Sequence, residues 1–231
     1  MKGVRAVLFD LDGTFADTAP DLGRALNRMR SERSLAPLPI ETLRARASSG
    51  ARGLLKAGFD VTPESEGYET LRERFLELYE ENLCIDSQVF DGIPALLEAI
   101  VGRGLRWGIV TNKAKRYTEP LLRKLGVDGL AACIVSGDST PHIKPHPASL
   151  LRAAELLSLP PADCLYVGDD LRDIQAARAA GMRFAAAGWG YLGEGGDPRA
   201  WGADAVLSGP GEILDLLTLG ETHARLLAGP S

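Results

Sequence analysis

The stretch VLFDLDGTFADT, from Val7 to Thr18, places a dense apolar run directly before two aspartates. A short, continuous apolar run of this kind is typical of a strand that is buried on both faces of a parallel sheet. Asp10 and Asp12 end the run, and their like charges repel each other. A chain that ends a core strand in this way uses the charge, so the stretch predicts a parallel α/β fold with a charged site beside its first strand.

Five further apolar runs show the same continuous rather than alternating hydrophobicity, namely RWGIVTN, ACIVSGD, CLYVGDD, RFAAAGWG and ADAVLSG. Between them lie helical segments such as PHPASLLRAAELLSL and LRDIQAARAAG, and Gly181 closes the second as a candidate C-cap. Strands and helices in alternation predict an α/β fold, with a parallel-sheet, Rossmann-like core domain and right-handed crossovers.

Residues 18–87 do not follow this alternation of strands and helices. Their segments are long, charged and helical in period, as in PDLGRALNRMR, IETLRARASSG and YETLRERFLELYEEN, and no buried-strand run interrupts them. We predict an inserted helical domain over residues 18–87, and a core domain formed by residues 1–17 plus 88–231.

Composition limits the classes of function and partner. The 231 residues carry a formal net charge of -5, which argues against a nucleic-acid partner but allows a small anionic substrate in a local positive site. The three cysteines form no CxxC pair, and two of them lie in apolar runs, so we expect reduced core cysteines. No stretch approaches the roughly 20 apolar residues of a membrane span. We therefore expect a cytoplasmic protein without membrane contact.

Polar side chains follow three of the predicted strands, at the edge where parallel α/β sheets bind ligands. They are Asp10, Asp12, Thr111, Asn112, Asp169 and Asp170, with Asp173 one turn into the next helix and Lys144 in the loop before another. Carboxylates about 4 Å apart repel each other by about 1–4 kcal/mol per pair, so a proton or a cation must lie among them. A set of oxygen ligands without histidine or cysteine favours Mg²⁺, and the threonine and lysine are suited to phosphate oxygens.

The motifs DLDGT, TN, KP and GDDLRD resemble, in this order, the four motifs of the haloacid dehalogenase-like phosphohydrolases. The resemblance spans the whole chain, and the helical insert looks like the small cap domain of that family. FDLDGTFADTAPDLGRAL, GIVTNK and KPHPASLL are similar to the phosphoglycolate phosphatase group, whereas GWGYLGEGGDPRAWGAD is similar to bacterial N-acetylmuramic acid 6-phosphate phosphatases. The resemblance implies an Mg²⁺-dependent phosphatase for a small phosphorylated metabolite. The first candidate for this metabolite is 2-phosphoglycolate, and N-acetylmuramic acid 6-phosphate is the alternative.

The resemblance also implies roles for the matching residues. Asp10 would attack phosphorus and form an aspartyl-phosphate, while Asp12 would protonate the leaving oxygen and later accept a proton from water. Mg²⁺ would be held by Asp10, Asp12 and Asp169, with Asp173 supporting; phosphate would be bound by Thr111, Asn112 and Lys144, beside a backbone turn at Gly13. In the insert, Ser49, Gly50 and Arg52 are candidates to face the substrate, although an arginine on a helix surface explains Arg52 equally well.

Three features depart from the family pattern or compete with it. Phe15 stands where the family carries a smaller aliphatic residue, which we interpret as packing. Asp170 adds a negative charge where many relatives have a small hydroxyl, and we expect it to cap the helix that begins near Leu171. GWGYLG satisfies the GxGxxG pattern, but EGGDPRAWG follows it, so we expect a loop at the surface or at the substrate edge.

Other functions remain to be weighed. A phospho-accepting receiver domain also combines aspartates, a hydroxyl and a lysine, but it lacks an inserted helical domain of about seventy residues. A dehalogenase shares the nucleophile and needs no metal, so Asp12 and the acidic pair disfavour it. A sugar-phosphate mutase shares the spacing and stays open. Monomer and homodimer are both compatible with the sequence.

Overall fold

The computed structural model describes residues 3–218, so residues 1–2 and 219–231 of the predicted core lie outside the described residues. In chain order the elements are β1 (Ala6–Phe9), β2 (Ala16–Asp17), α1 (Ala19–Glu32), α2 (Ile40–Ala47), α3 (Gly50–Phe59), α4 (Tyr68–Glu81), β3 (Gln88–Val89), α5 (Ile93–Gly102), β4 (Arg106–Val110), α6 (Lys115–Lys124), β5 (Cys133–Val135), α7 (Ala148–Leu156), β6 (Cys164–Gly168), α8 (Leu171–Ala180), β7 (Arg183–Ala187) and β8 (Ala205–Leu207).

Six of these strands form one parallel sheet in the order β5-β4-β1-β6-β7-β8. The central strand β1 is covered on both faces: Val7 and Phe9 belong to one buried cluster, and Ala6 and Leu8 belong to the other. This explains why the run is continuously apolar, since successive side chains of a strand point to opposite faces. The predicted α/β class with a parallel-sheet core is confirmed.

The four helices α1 to α4, here called the helical insert, lie between the first strand and the rest of the sheet. Their inner faces are apolar, and Leu26, Leu54 and Phe75 are fully buried. Helix α3 was not among the predicted segments, because its sequence GARGLLKAGF contains three glycines and little charge. The helical insert was therefore predicted correctly from the sequence, but only three of its four helices were.

A two-stranded antiparallel ribbon joins the insert to the sheet. Ala16 pairs with Val89, and Asp17 pairs with Gln88, at the two points where the chain leaves and returns. Strands of two residues carry no hydrophobic period, so sequence analysis did not predict this ribbon.

Capping residues determine where α8, the helix that follows β6, begins and ends. Asp170 is its N-cap and accepts a hydrogen bond from the backbone N–H of Arg172, while Asp173 bonds back to the N–H of Asp170, which completes a capping box. Gly181 ends the helix with a φ of 73°, as predicted. Among residues 3–218, no helix has the length and apolar character needed to span a membrane.

Candidate active site

The order of the strands brings the predicted acidic residues to one edge of the sheet. Asp10 follows β1, and Asp169 follows the adjacent strand β6, with Asp173 on the first turn of α8. Each of these three carboxylates offers an oxygen, and the three oxygens lie within 4.8 Å of one another. Residues separated by more than 150 positions in sequence therefore form one cluster.

Asp169 is held rigidly and is fully buried. It accepts hydrogen bonds from the Thr14 hydroxyl at 2.7 Å and from the backbone N–H of Tyr191 at 2.9 Å. Gly13 has a φ of +88°, and a Cβ there would lie 2.5 Å from an Asp169 oxygen; a Cβ at Gly190 would lie 2.3 Å from the Asp169 Cβ. Both glycines are thus required by the close approach of the backbone to this carboxylate.

Lys144 is buried against the same cluster. Its ammonium lies 2.8 Å from an Asp10 oxygen and donates to Asp173 at 2.7 Å and to the Tyr166 hydroxyl at 2.7 Å. Burial opposes the charged ammonium, but the carboxylates of Asp10 and Asp173 prevail and raise the pKa of Lys144. Sequence analysis missed Tyr166, since a tyrosine inside a buried strand carries no sign that its hydroxyl faces a lysine.

Negative charge in the cluster exceeds what Lys144 neutralises. Burial raises the pKa of Asp10 to about 7, and burial together with the charges of Asp10 and Asp173 raises the pKa of Asp169 well above its usual value. One oxygen of Asp10, Oδ1, is buried, and among the described residues its partner is the Lys144 ammonium, which lies 2.8 Å away. Three carboxylates that share one ammonium form a set of oxygen ligands that fits a small, hard divalent cation such as Mg²⁺.

Asp12 lies outside that carboxylate cluster and has its own partners. The Lys113 ammonium donates to both of its oxygens, at 2.8 and 3.1 Å, and the Thr18 hydroxyl donates at 2.5 Å. The ring of Tyr79, from the insert, covers Lys113 with its centroid 4.8 Å from the ammonium nitrogen. Lys113 was not predicted as a site residue, and its position directly after Thr111 and Asn112 was the available signal.

Thr111 and Asn112 lie beside these aspartates at the end of β4. Thr111 is buried, and its hydroxyl accepts from the backbone N–H of Lys113 at 3.1 Å. The Asn112 amide donates to the carbonyl of Lys144 at 3.0 Å and accepts from its N–H at 2.9 Å. Both ends of this side chain therefore fix the loop that carries Lys144.

A cavity of about 520 Å³ opens between this edge of the sheet and the helical insert. Asp10, Asp12, Thr111, Asn112, Lys144 and Asp173 line it on the sheet side. The three candidates from the insert, Ser49, Gly50 and Arg52, line it on the other side. The structure thus brings the predicted insert residues to the same cavity as the predicted catalytic residues.

The family model described as haloacid dehalogenase-like hydrolase matches residues 7–187, which include every residue that lines the cavity. The chain belongs to this family. It contains the core sheet of these hydrolases together with the inserted helical cap.

Named relatives of this hydrolase cover nearly its full length. It is 41% identical over 214 residues to the N-acetylmuramic acid 6-phosphate phosphatase of Pseudomonas aeruginosa, covering 93% of this chain and 95% of that protein. It is 42% identical over 213 residues to the phosphoglycolate phosphatase of Xanthomonas campestris pv. campestris, covering 92% and 96%. The hydrolase is a phosphoric monoester hydrolase.

A solved structure shares the fold of the hydrolase over the same extent. The crystal structure of a predicted phosphoglycolate phosphatase from Haemophilus somnus 129pt superposes with a TM-score of 0.82 at 26% identity, covering 94% of this chain and 99% of that one. The position of the helical cap within the chain is therefore not peculiar to this hydrolase.

The two departures from the family pattern have structural explanations. Phe15 is fully buried, stacks on Trp107 with ring centroids 5.7 Å apart and meets Phe9 edge-on, so its predicted packing role is confirmed. Asp170 caps α8 as predicted. Burial alone would raise the pKa of Asp170, but hydrogen bonds and charge from Arg172 lower it to about 2.

The glycine-rich loop after β7 reaches the surface as predicted, since Gly188, Glu194 and Gly196 are exposed, but one of its side chains turns inward. Tyr191 is buried, its N–H binds Asp169, and its hydroxyl accepts from the backbone N–H groups of Thr18 and Ala19 and donates to Asp17. The loop therefore connects the acidic cluster to the start of the cap. Glycines in a pattern do not reveal which neighbouring side chain they bring inside.

Proposed function

We propose that this hydrolase removes phosphate from a small phosphomonoester in an Mg²⁺-dependent reaction in which Asp10 is the nucleophile. The grouping of Asp10 with Asp169, Asp173 and the Lys144 ammonium, which lies 2.8 Å from Oδ1 of Asp10, carries the proposal. A carboxylate at the end of a core strand can act as a nucleophile, and the surrounding groups are suited to the charge of an incoming phosphate.

The reaction proceeds in two displacements. An oxygen of Asp10 forms a bond to phosphorus as the bond to the alcohol oxygen of the substrate breaks, and Asp12 gives a proton to that oxygen. Water then attacks the phosphorus of the aspartyl-phosphate and gives a proton to Asp12, while the bond between phosphorus and the Asp10 oxygen breaks and inorganic phosphate leaves. Asp10 and Asp12 end the cycle in the states in which they began it.

Phosphate binding falls to Thr111, Asn112 and Lys144. The hydroxyl of Thr111 and the ammonium of Lys144 act on the transferring oxygens directly, while the side chain of Asn112 acts through the Lys144 loop that it fixes. Positioning and neutralisation of charge are most of what phosphoryl transfer requires of a protein.

The metal would be held by the carboxylates of Asp10 and Asp169 and by the backbone carbonyl of Asp12, with Asp173 in support and the turn at Gly13 giving room. When bound, Mg²⁺ neutralises charge on the phosphoryl oxygens and on the carboxylates around them. Its presence also accounts for the cluster of carboxylates whose pKa values are raised when no cation balances them.

For the substrate, 2-phosphoglycolate is the first candidate, and the phosphatases named for it among the relatives support this choice. The second candidate is N-acetylmuramic acid 6-phosphate, which one group of relatives is named for and which the cavity volume of about 520 Å³ favours. The cap, residues 18–87, would contribute Ser49, Gly50 and Arg52 to either leaving group.

The test is a phosphate-release screen of both substrates and p-nitrophenyl phosphate, with and without Mg²⁺. We expect Asp10→Asn to abolish turnover of every substrate while the protein melts as a folded molecule, and we expect the exposed Asp128→Asn to behave as the unsubstituted enzyme. Substantial activity in Asp10→Asn would contradict the mechanism. Conversion of a sugar 1-phosphate to an isomer, without free phosphate, would instead identify a mutase.

A further inference from the structure

Arg172, the second residue of α8, forms hydrogen bonds with residues on both sides of the cavity, the sheet side and the cap. Its Nε donates to one oxygen of Asp170 at 2.8 Å, and its Nη2 donates to the other at 2.9 Å. The same Nη2 donates to the backbone carbonyl of Ser48, in the cap, at 2.8 Å, and the Ser48 hydroxyl donates to Asp170 at 2.7 Å. The planar guanidinium is thereby fixed in one orientation before any substrate arrives.

These hydrogen bonds engage only part of the Arg172 guanidinium. Of its five N–H donors three are engaged, and the two on Nη1 have no partner within residues 3–218. The side chain is 27% exposed and lines the cavity together with Asp10. A fixed donor pair beside the reacting carboxylate is available to a bound molecule.

Charge in the cavity indicates what that molecule carries. Within the described chain, Asp12 is paired with Lys113 and Asp173 with Lys144, while Arg52, from the cap, lines the cavity without an ion pair. Beyond the phosphate-binding end, the cavity therefore offers unpaired N–H donors and no unpaired acid. A carboxylate is the acceptor that gains most from such donors, since charge-assisted hydrogen bonds are about twice as strong as neutral ones.

We propose that Arg172 is a specificity-determining residue that donates through Nη1 to a carboxylate on the leaving group. The inference rests on the proposed phosphatase function and adds to it the residue that selects the carboxylate, which both candidate substrates carry. Asp170 and Ser48 act as positioning residues, because they hold the guanidinium rather than touch the substrate.

The test compares pairs of related phosphomonoesters in which only one member carries a carboxylate. The small pair is 2-phosphoglycolate and 2-hydroxyethyl phosphate; the large pair is N-acetylmuramic acid 6-phosphate and N-acetylglucosamine 6-phosphate, which lacks the lactyl group. In Arg172→Gln with Mg²⁺ present, we expect kcat/KM for the carboxylate member of the pair that is turned over to fall about 10- to 100-fold, mainly through KM. The other member should change by less than about threefold.

Two variants control for structure. Arg178→Gln makes the same change on the same helix, where the side chain pairs with Asp204 away from the cavity, and should leave all four substrates unaffected. Arg172→Lys keeps the charge without the fork, so it should lose part of the preference for the carboxylate even if the glutamine variant does not fold.

The outcomes separate the possibilities. An equal fall for both members of a pair would mean that Arg172 only braces the cap, and no preference for the carboxylate member in the unsubstituted enzyme would also overturn the inference. If the unsubstituted enzyme released no phosphate from these substrates or from p-nitrophenyl phosphate, the phosphatase proposal itself would fall, and this inference with it.

Discussion

The Lys144 ammonium lies 2.8 Å from Oδ1 of Asp10, so the proposed nucleophile has a buried ion-pair partner. The same ammonium donates hydrogen bonds to Tyr166, Asp173 and the carbonyl of Val110. Groups other than Asp10 therefore fix the position of the lysine beside it. Several consequences of this arrangement can be measured.

Stability without metal should depend on pH through Asp10. Its pKa is raised from 3.8 to about 7 in the folded protein, so ionisation is more costly in the folded state than in the unfolded state. Between about pH 4 and about pH 7, the free energy of unfolding in EDTA should therefore be greatest at the acidic end and should decrease as the pH rises. We expect Tm in EDTA to fall more steeply over this range for the unsubstituted protein than for Asp10→Asn.

Added Mg²⁺ should raise Tm most at the alkaline end of this range, because a cation that binds the folded state stabilises it by mass action. Equal Tm profiles for the unsubstituted protein and Asp10→Asn in EDTA would contradict the account of Asp10 as a carboxyl whose pKa is raised by burial.

Removal of the Tyr166 hydroxyl should slow the reaction. Tyr166→Phe deletes an acceptor of the Lys144 ammonium and a partner of Asp173 at 3.1 Å, so the lysine is less well fixed against the phosphate. We expect kcat to fall by about tenfold with KM changed less, as measured by phosphate release. Ser149→Ala removes a buried hydroxyl that has no hydrogen-bond partner in the described part of the chain and should leave kcat intact; a similar loss in both variants would point to general destabilisation.

The effect of removing Lys113 on kcat should depend on the leaving group of the substrate. Lys113→Met removes the cation that orients Asp12, which protonates the leaving oxygen in the proposed mechanism. We expect kcat to fall about 10- to 100-fold for an alkyl phosphate, and by less than about threefold for p-nitrophenyl phosphate, whose phenolate leaves without a proton. Lys115→Met, two residues away and exposed, is the control. Equal losses on both substrates would contradict this role.

Tyr191 should contribute to stability through its hydroxyl. Tyr191→Phe leaves the buried N–H groups of Thr18 and Ala19 without their acceptor and removes one of the donors to Asp17, which keeps Arg44. We expect a loss of about 1–3 kcal/mol in the free energy of unfolding, measured with urea. Tyr117→Phe removes a buried hydroxyl that has no hydrogen-bond partner among residues 3–218 and should change this free energy by less than about 0.5 kcal/mol, so comparable losses would refute the assignment.

Sequence reasoning predicted the elements whose signals are local. The central strands are recognisable because both of their faces are buried, and the ends of α8 because Asp170 and Gly181 carry capping chemistry. The acidic residues were predicted to meet because strand ends in a parallel sheet share an edge. These predictions need only the order of the elements.

The partners of these residues could not be predicted, because they depend on side-chain direction across the fold. Tyr166 reads as an apolar strand residue, Lys113 as a surface lysine, and Tyr191 as part of a glycine-rich loop. Each acquires its contact from a segment distant in sequence: Lys144, Asp12 and Asp169 respectively. The two-residue ribbon was missed because it is too short to show a period.

That ribbon has an evolutionary consequence. Since Asp17 and Gln88 are paired neighbours, the departing and returning chains lie side by side, and everything between them is attached at a single place. A cassette of another length could be exchanged there without altering the register of any strand in the main sheet. New leaving-group preferences can then arise by replacement of a whole module while the phosphoryl-transfer machinery is inherited unchanged.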